Sequence, residues 1–425
     1  MTSVCTENDR DTRHITPSGQ LPSRSAGRIA SQVAGKSAEI LPLTSLRFFA
    51  AFHVVLFHVW GKFLPSLPGP RYWNDLIKLG YIGVDIFFIL SGYILAVVYM
   101  RQGSGVKINR RKFYIARFAR IYPLYALSLL IFAPFEWGNI RAHSLASHII
   151  KFAGLCITNF GMIQAWRPAF GAGWNVPAWS VSAEAFFYLI FPVIGVAIAT
   201  RIRKPLRLGF MLWLASISIS LILSKAIHSH DNFAFARSNP LLRLPEFLVG
   251  VCAALWRPRV IPKSLSWMSV LVFLGLVPLI VHLPQLVVSN GLLAPIFAAL
   301  IVGLGTLDGG FERLLSSPAL VTLGHASYSL YLLHFPVLFW LTYFAGTAGT
   351  TDLGGPWILP FSPPERLAAY LVITVAASIL SYFLVEKPAR QYLLKRLQGC
   401  PRVCVKTSLK PAIIDQEQSI GTTAC

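Results

Sequence analysis

Arg47 and His58 stand eleven residues apart in one apolar run, Leu46-Arg47-Phe48-Phe49-Ala50-Ala51-Phe52-His53-Val54-Val55-Leu56-Phe57-His58. At about 100° per residue, a helix brings the two to within about 20° of one another and separates them by about 16 Å along its axis, while His53 points about 140° away from His58. A cation and an imidazole on one face suit a ligand lying along the helix. The same pair is equally an arginine snorkelling to the membrane surface and a histidine bonded to a neighbouring helix.

Further polar side chains interrupt later apolar runs. Asp85 lies in Gly80-Tyr81-Ile82-Gly83-Val84-Asp85-Ile86-Phe87-Phe88-Ile89-Leu90-Ser91-Gly92. Its expected depth is comparable with that of His58. There it either orients the imidazole and stabilises its protonated form or links two helices. Arg117 and Arg120 are three apart at the mouth of the next helix, so they face one way and could clamp a phosphate. Arg101 and Lys107, in the same basic segment, read better as topogenic or lipid-binding charge. Glu184 follows Trp179 at the start of another apolar run, near the outer surface. Trp166, Trp174 and Trp179 read either as an interfacial belt or as sugar-binding platforms. His334, in Ser327-Tyr328-Ser329-Leu330-Tyr331-Leu332-Leu333-His334, rivals His58 as a base. Glu386-Lys387-Pro388-Ala389-Arg390 reads as a helix end with flanking charge.

The elements that carry these residues follow from composition. Of the 425 residues 55% are hydrophobic and only 13% charged, about half the charged fraction of a soluble domain. Apolar runs near 42–61, 79–99, 119–134, 180–200, 208–225, 240–256, 265–282, 291–307, 319–344 and 367–386 approach bilayer length. An all-α polytopic membrane bundle of about ten spans is expected. A further run, 148–164, is interrupted by Lys151, Asn159 and Gly161.

Charge sets the orientation. With the N-terminus inside and ten spans, 27 of the 38 Lys and Arg residues fall on the cytoplasmic side and 9 outside. If 148–164 crossed fully, the basic segments 201–207 and 257–263 would face outward, against the positive-inside rule. That run is therefore expected to be re-entrant or peripheral. Residues 1–40 and 398–425 read as disordered cytoplasmic tails around a membrane domain at 41–397. The net charge of +21 punctuates apolar runs instead of forming a stripe, so nucleic-acid binding is not expected. The six cysteines and the His228/His230 pair lack metal-ligand spacing, so no metal is expected.

These blocks, in order along 41–397, resemble the acyltransferase-3 family of multispanning O-acyltransferases. They are Leu46 to His58, Gly83 to Gly92, Arg117-Phe118-Ala119-Arg120-Ile121-Tyr122-Pro123, Trp179 to Glu184, Ser327 to His334 and Glu386 to Arg390. The resemblance implies transfer of an acyl group, usually acetyl, from cytoplasmic acyl-CoA to a hydroxyl of a carbohydrate-containing acceptor. That acceptor is a surface or secreted glycan, a lipid-linked saccharide or a nodulation-type lipo-oligosaccharide. It implies His58 as catalytic base with Asp85 and Glu184 in matching blocks, and Arg47, Arg117 and Arg120 as coenzyme-side cations. It also implies residence in the plasma membrane, among membrane lipids, with both termini cytoplasmic. Ala183 and Ala185 replace residues that are often acid or glutamine in the family, which would alter the acceptor end. The extracytoplasmic esterase-like domain of some members is not expected after the last span. The rival expectation is a polysaccharide export component of the same family.

Overall fold

The computed structural model describes residues 39–63, 70–100, 108–140, 143–167, 174–256, 258, 260–344 and 363–398, and among them every regular element is a helix. The tails lie, apart from Glu39, Ile40 and Gln398, outside the described residues, as do Arg101 and Lys107. The principal helices begin with α1 (Leu41–Phe63), α2 (Arg71–Lys78), α3 (Gly83–Met100), α4 (Arg110–Asn139) and α5 (Leu145–Phe160). The middle of the chain forms α6 (Trp179–Arg201), α7 (Pro205–Ala226), α8 (His230–Ser238), α9 (Pro240–Leu255) and α10 (Leu265–Ile280). The last third forms α11 (Ala294–Leu304), α12 (Pro318–His325), α13 (Ser327–Phe344), α14 (Pro363–Ser381) and α15 (Lys387–Gln398).

Among the described residues, seven stretches could cross a bilayer by length and composition: Leu41–Val59, Arg71–Met100, Arg110–Asn139, Val176–Arg201, Pro205–Ala226, Gln285–Leu304 and Pro364–Gln398. The chain is an all-α polytopic bundle. The other three expected spans are also helical but shorter: α9 and α10 have 16 residues and α13 has 18. In α9 charged residues and Pro245 interrupt the apolar sequence; in α13 serine, tyrosine and histidine do so. The doubtful run 148–164 is α5 plus a turn. At 16 residues, or about 24 Å, α5 is as long as α9 and α10, so its length does not set it apart from those two expected spans.

Two boundaries differ from expectation. From Arg110 onward the basic segment before the third span is helix, not loop, and Asn109 caps it by accepting from the Lys112 amide at 3.0 Å. Arg117 and Arg120 therefore sit on the third turn of α4 instead of at its mouth. Glu386 does not end a helix: the backbone passes through a π-helical turn at Tyr382–Glu386 and continues as α15.

Close backbone contacts set the register of the core. A Cβ on Gly92 would lie 2.0 Å from the Phe247 carbonyl oxygen, and one on Gly250 would lie 2.0 Å from that of Ile89. Only hydrogen at both positions lets α3 and α9 touch backbone to backbone. The start of α3 meets α1 in the same way, with Gly80 against His53 and Phe57 and Gly83 against Ala50 and Val54.

Candidate active site

Two helices deliver three arginines to one cavity. Arg47 of α1 and Arg117 and Arg120 of α4 line a space of about 720 Å³, together with Ser91 of α3, Glu184 and Tyr188 of α6, and Tyr328 and Tyr331 of α13. All three arginines are half-buried. Among the described residues none has a carboxylate within ion-pair distance. The Arg117 guanidinium lies 5.7 Å from the Tyr188 ring centroid, and its buried Nε has no hydrogen-bond partner among the described residues. The Tyr328 hydroxyl donates to the Ile121 carbonyl at 2.8 Å, tying α13 to α4 across the cavity.

Glu184 belongs to this cavity and not to a separate outer site. Its carboxylate accepts hydrogen bonds from Ser91 at 2.9 Å and from the Tyr188 hydroxyl. The cavity thus presents three cations and one hydrogen-bonded carboxylate, with net positive charge suited to an anionic ligand.

Arg47 and His58 both turn towards α13, as their spacing requires. His53 points elsewhere: its Nε2 donates to the Leu76 carbonyl at 2.8 Å, anchoring α2. His58 meets His334. The Nδ1 of His58 is 2.9 Å from the Val54 carbonyl oxygen and 3.2 Å from Nε2 of His334. His334 is fully buried, whereas His58 is half-buried. The pair stands one helical turn beyond the cavity, with ring centroids of Tyr331 and His334 6.1 Å apart. Tyr331 is held in place by Ser180 at 2.7 Å and donates to the Pro177 carbonyl at 2.9 Å.

Asp85 is not where the apolar pattern put it. The contacts of Gly80 and Gly83 place it level with about residue 50 of α1, roughly 12 Å along the axis from His58. Its partner is Arg243, whose Nη2 donates to Asp85 Oδ1 at 2.6 Å. Arg243 Nη1 also lies 2.9 Å from Glu246 Oε1 and donates to Asn290 Oδ1 at 3.2 Å. All four residues are buried. The expected orientation of His58 by Asp85 is therefore not the arrangement found: a second imidazole stands behind His58.

The sequence reading passed over this cluster, although Arg243 and Glu246, three apart in an apolar helix, carried its signal. Two of the three tryptophans are also reassigned. Trp174 is buried and donates from Nε1 to the Leu129 carbonyl at 2.8 Å, and Trp179 packs its ring 5.7 Å from the Arg243 guanidinium. Neither is free to form a surface belt or a sugar platform. Glu386 accepts from Ser329 at 3.0 Å and so joins the last helix to α13.

Comparison with known proteins agrees with these blocks. The family model Acyl_transf_3, described as an acyltransferase domain, matches residues 42–383. The chain is 28% identical over 382 residues to Acyltransferase MdmB of Streptomyces mycarofaciens, covering 83% of this chain and 92% of that protein. It is 26% identical over 390 residues to a Staphylococcus aureus protein provisionally named as an O-acetyltransferase, covering 84% of this chain and 58% of that one. With YrhL of Bacillus subtilis, provisionally named as a peptidoglycan O-acetyltransferase, identity is 24% over 376 residues, covering 82% and 54%. The chain spans little more than half the length of these last two relatives. No solved structure matches it. The family match extends over most of the helical bundle and includes five of the six sequence blocks; Glu386 to Arg390 lies just beyond its end. The chain belongs to the acyltransferase-3 family and is a multi-pass membrane O-acyltransferase.

Proposed function

We propose that the protein moves an acyl group, acetyl in the first instance, from cytoplasmic acyl-CoA to a hydroxyl of a carbohydrate-containing acceptor, with residence in the plasma membrane and both termini inside. The observation that carries this reading is the convergence of Arg47, Arg117 and Arg120, without carboxylate partners among the described residues, on one 720 Å³ cavity next to the His58/His334 pair. Phosphates of the coenzyme bind Arg117 and Arg120 through charge-assisted hydrogen bonds. Arg47 guides the pantetheine arm, and the thioester reaches His58 past Tyr331. His58 removes the proton of the acceptor hydroxyl as its oxygen attacks the thioester carbonyl. Glu184 acts at the coenzyme end of the route, and Asp85 serves Arg243. A carbohydrate acceptor is supported by the peptidoglycan substrate in the name given to YrhL.

The test is deletion of the gene and complementation with wild type or His58→Ala, reading acetyl esters on surface and secreted glycans by mass spectrometry. Loss of esters on deletion, restored by wild type and not by His58→Ala at equal membrane abundance, is the expected result. The missing base should cost roughly 10²–10⁴-fold in rate. Unchanged esters with glycan trapped inside the cell would replace this reading with export.

A further inference from the structure

The hydrogen-bond geometry of the histidine pair distinguishes the two rings. A backbone carbonyl only accepts, so the 2.9 Å contact with the Val54 oxygen requires the hydrogen of His58 to be on Nδ1. The lone pair of His58 is then on Nε2. The Nε2 of His334 lies 3.2 Å from that same Nδ1 and must present a lone pair to it, so His334 carries its own hydrogen on Nδ1. That Nδ1 is buried with no hydrogen-bond partner among the described residues. Phe335 meets the His58 ring edge-on at 5.1 Å and 89°, which restricts its rotation.

The backbone around His334 is also fixed. Pro336 cannot donate to the carbonyl of Leu332, and Asn175 Nδ2 donates to that oxygen instead, at 2.9 Å. The Tyr370 hydroxyl donates to the His334 carbonyl at 3.1 Å. Both bonds come from outside α13, and they hold the turn that carries the second imidazole.

We propose that His334 is the positioning residue of the base: it accepts the Nδ1 hydrogen of His58, which holds the tautomer with Nε2 free, and it shares the positive charge that develops during transfer. This rests on the acyl-transfer reading above. In the transfer step the acceptor hydroxyl gives its proton to His58 Nε2 while its oxygen forms a bond to the thioester carbonyl carbon. The carbon–sulfur bond then breaks with its electron pair on sulfur, and the thiolate takes the proton back from Nε2. The products are an ester and the coenzyme thiol. His334 ends the cycle with the proton it began with, so its contribution is orientation and charge sharing and not net proton removal. Sequence alone left the two histidines as rivals for the base; the geometry gives them different tasks.

The discriminating variants are His334→Gln and His334→Asn, since the Gln amide reaches the position of Nε2 and the shorter Asn amide that of Nδ1. Both are neutral and similarly polar, which separates positioning from folding. Membranes containing the full chain are incubated with radiolabelled acetyl-CoA, and alkali-labile acetyl transferred per unit of protein is measured against coenzyme concentration. His334→Asn should lower kcat about 30-fold, part of the roughly 10²–10⁴-fold span of general-base catalysis, with KM for acetyl-CoA changed less than about twofold. His334→Gln should recover kcat to within about threefold of wild type. Equal kcat in the two variants, whether both fast or both slow, would overturn the proposal. His58→Ala in the same assay keeps the ideas apart. Transfer surviving in His58→Ala sinks the acyl-transfer role of the histidine site, whereas an inactive His58→Ala beside equal Gln and Asn variants sinks the His334 assignment alone.

Discussion

Two regions of this bundle bury positive charge, and they do it in opposite ways. Around Arg243 the guanidinium has Asp85, Glu246 and Asn290 within 3.2 Å, and backbone contacts at Gly92 and Gly250 close the space around it. Around Arg47, Arg117 and Arg120 there is empty volume, and no described carboxylate lies within ion-pair distance. Both are costly to place at membrane depth. The first recovers the cost inside the protein by neutralising its own charge. The second leaves charge and space together, which is the condition for binding an anion from outside. Burial of a charged side chain alone does not mark a functional site; the absence of an internal partner beside a void does.

The largest effect expected from this comparison is on stability. Arg243→Ala leaves two buried carboxylates without a cation and should cost about 3–5 kcal/mol, measured as a lower thermal midpoint in detergent and less protein in the membrane. Replacing the whole cluster by apolar residues, Arg243→Met with Asp85→Leu and Glu246→Leu, should return most of that stability. If the triple variant is stable but inactive, the cluster is more than structural and the contrast fails.

A smaller effect is expected in the open cavity, and in a different observable. Arg120→Ala should leave the thermal midpoint within about 1 °C and raise KM for acetyl-CoA roughly 10- to 100-fold, as expected for losing a charged hydrogen bond worth about 1.5–3 kcal/mol. A fall in stability with unchanged KM would make Arg120 a structural residue like Arg243. The smallest effect sharpens the assignment: Arg120→Lys keeps the charge but loses the paired donors, so KM should rise only about 2- to 10-fold. Lysine behaving like alanine there would mean that fork geometry, not charge, holds the ligand.

The same contrast explains what could be read from sequence. Class, helical content and the shared face of Arg47 and His58 are properties of local composition and of a 3.6-residue period, and they reappear in the fold. The separate direction of His53 also follows, since it reaches Leu76 while His58 reaches His334. Asp85 failed as a partner for His58 because its depth was judged from where its own apolar run begins. Gly80 and Gly83 slide α3 along α1 so that Asp85 sits about 12 Å away.

By itself the amino-acid sequence determined that this chain is a helical membrane protein, which ends of its helices carry the basic residues, and which blocks between residues 42 and 383 identify its family. Tertiary structure alone decided which buried acid meets which base. Asp85 and Arg243 are 158 positions apart, and His58 and His334 are 276 apart. A helix period specifies the direction in which a side chain points but not what stands opposite it. That partner is selected by the crossing and register of packed helices, which here depend on backbone contacts that only glycine permits.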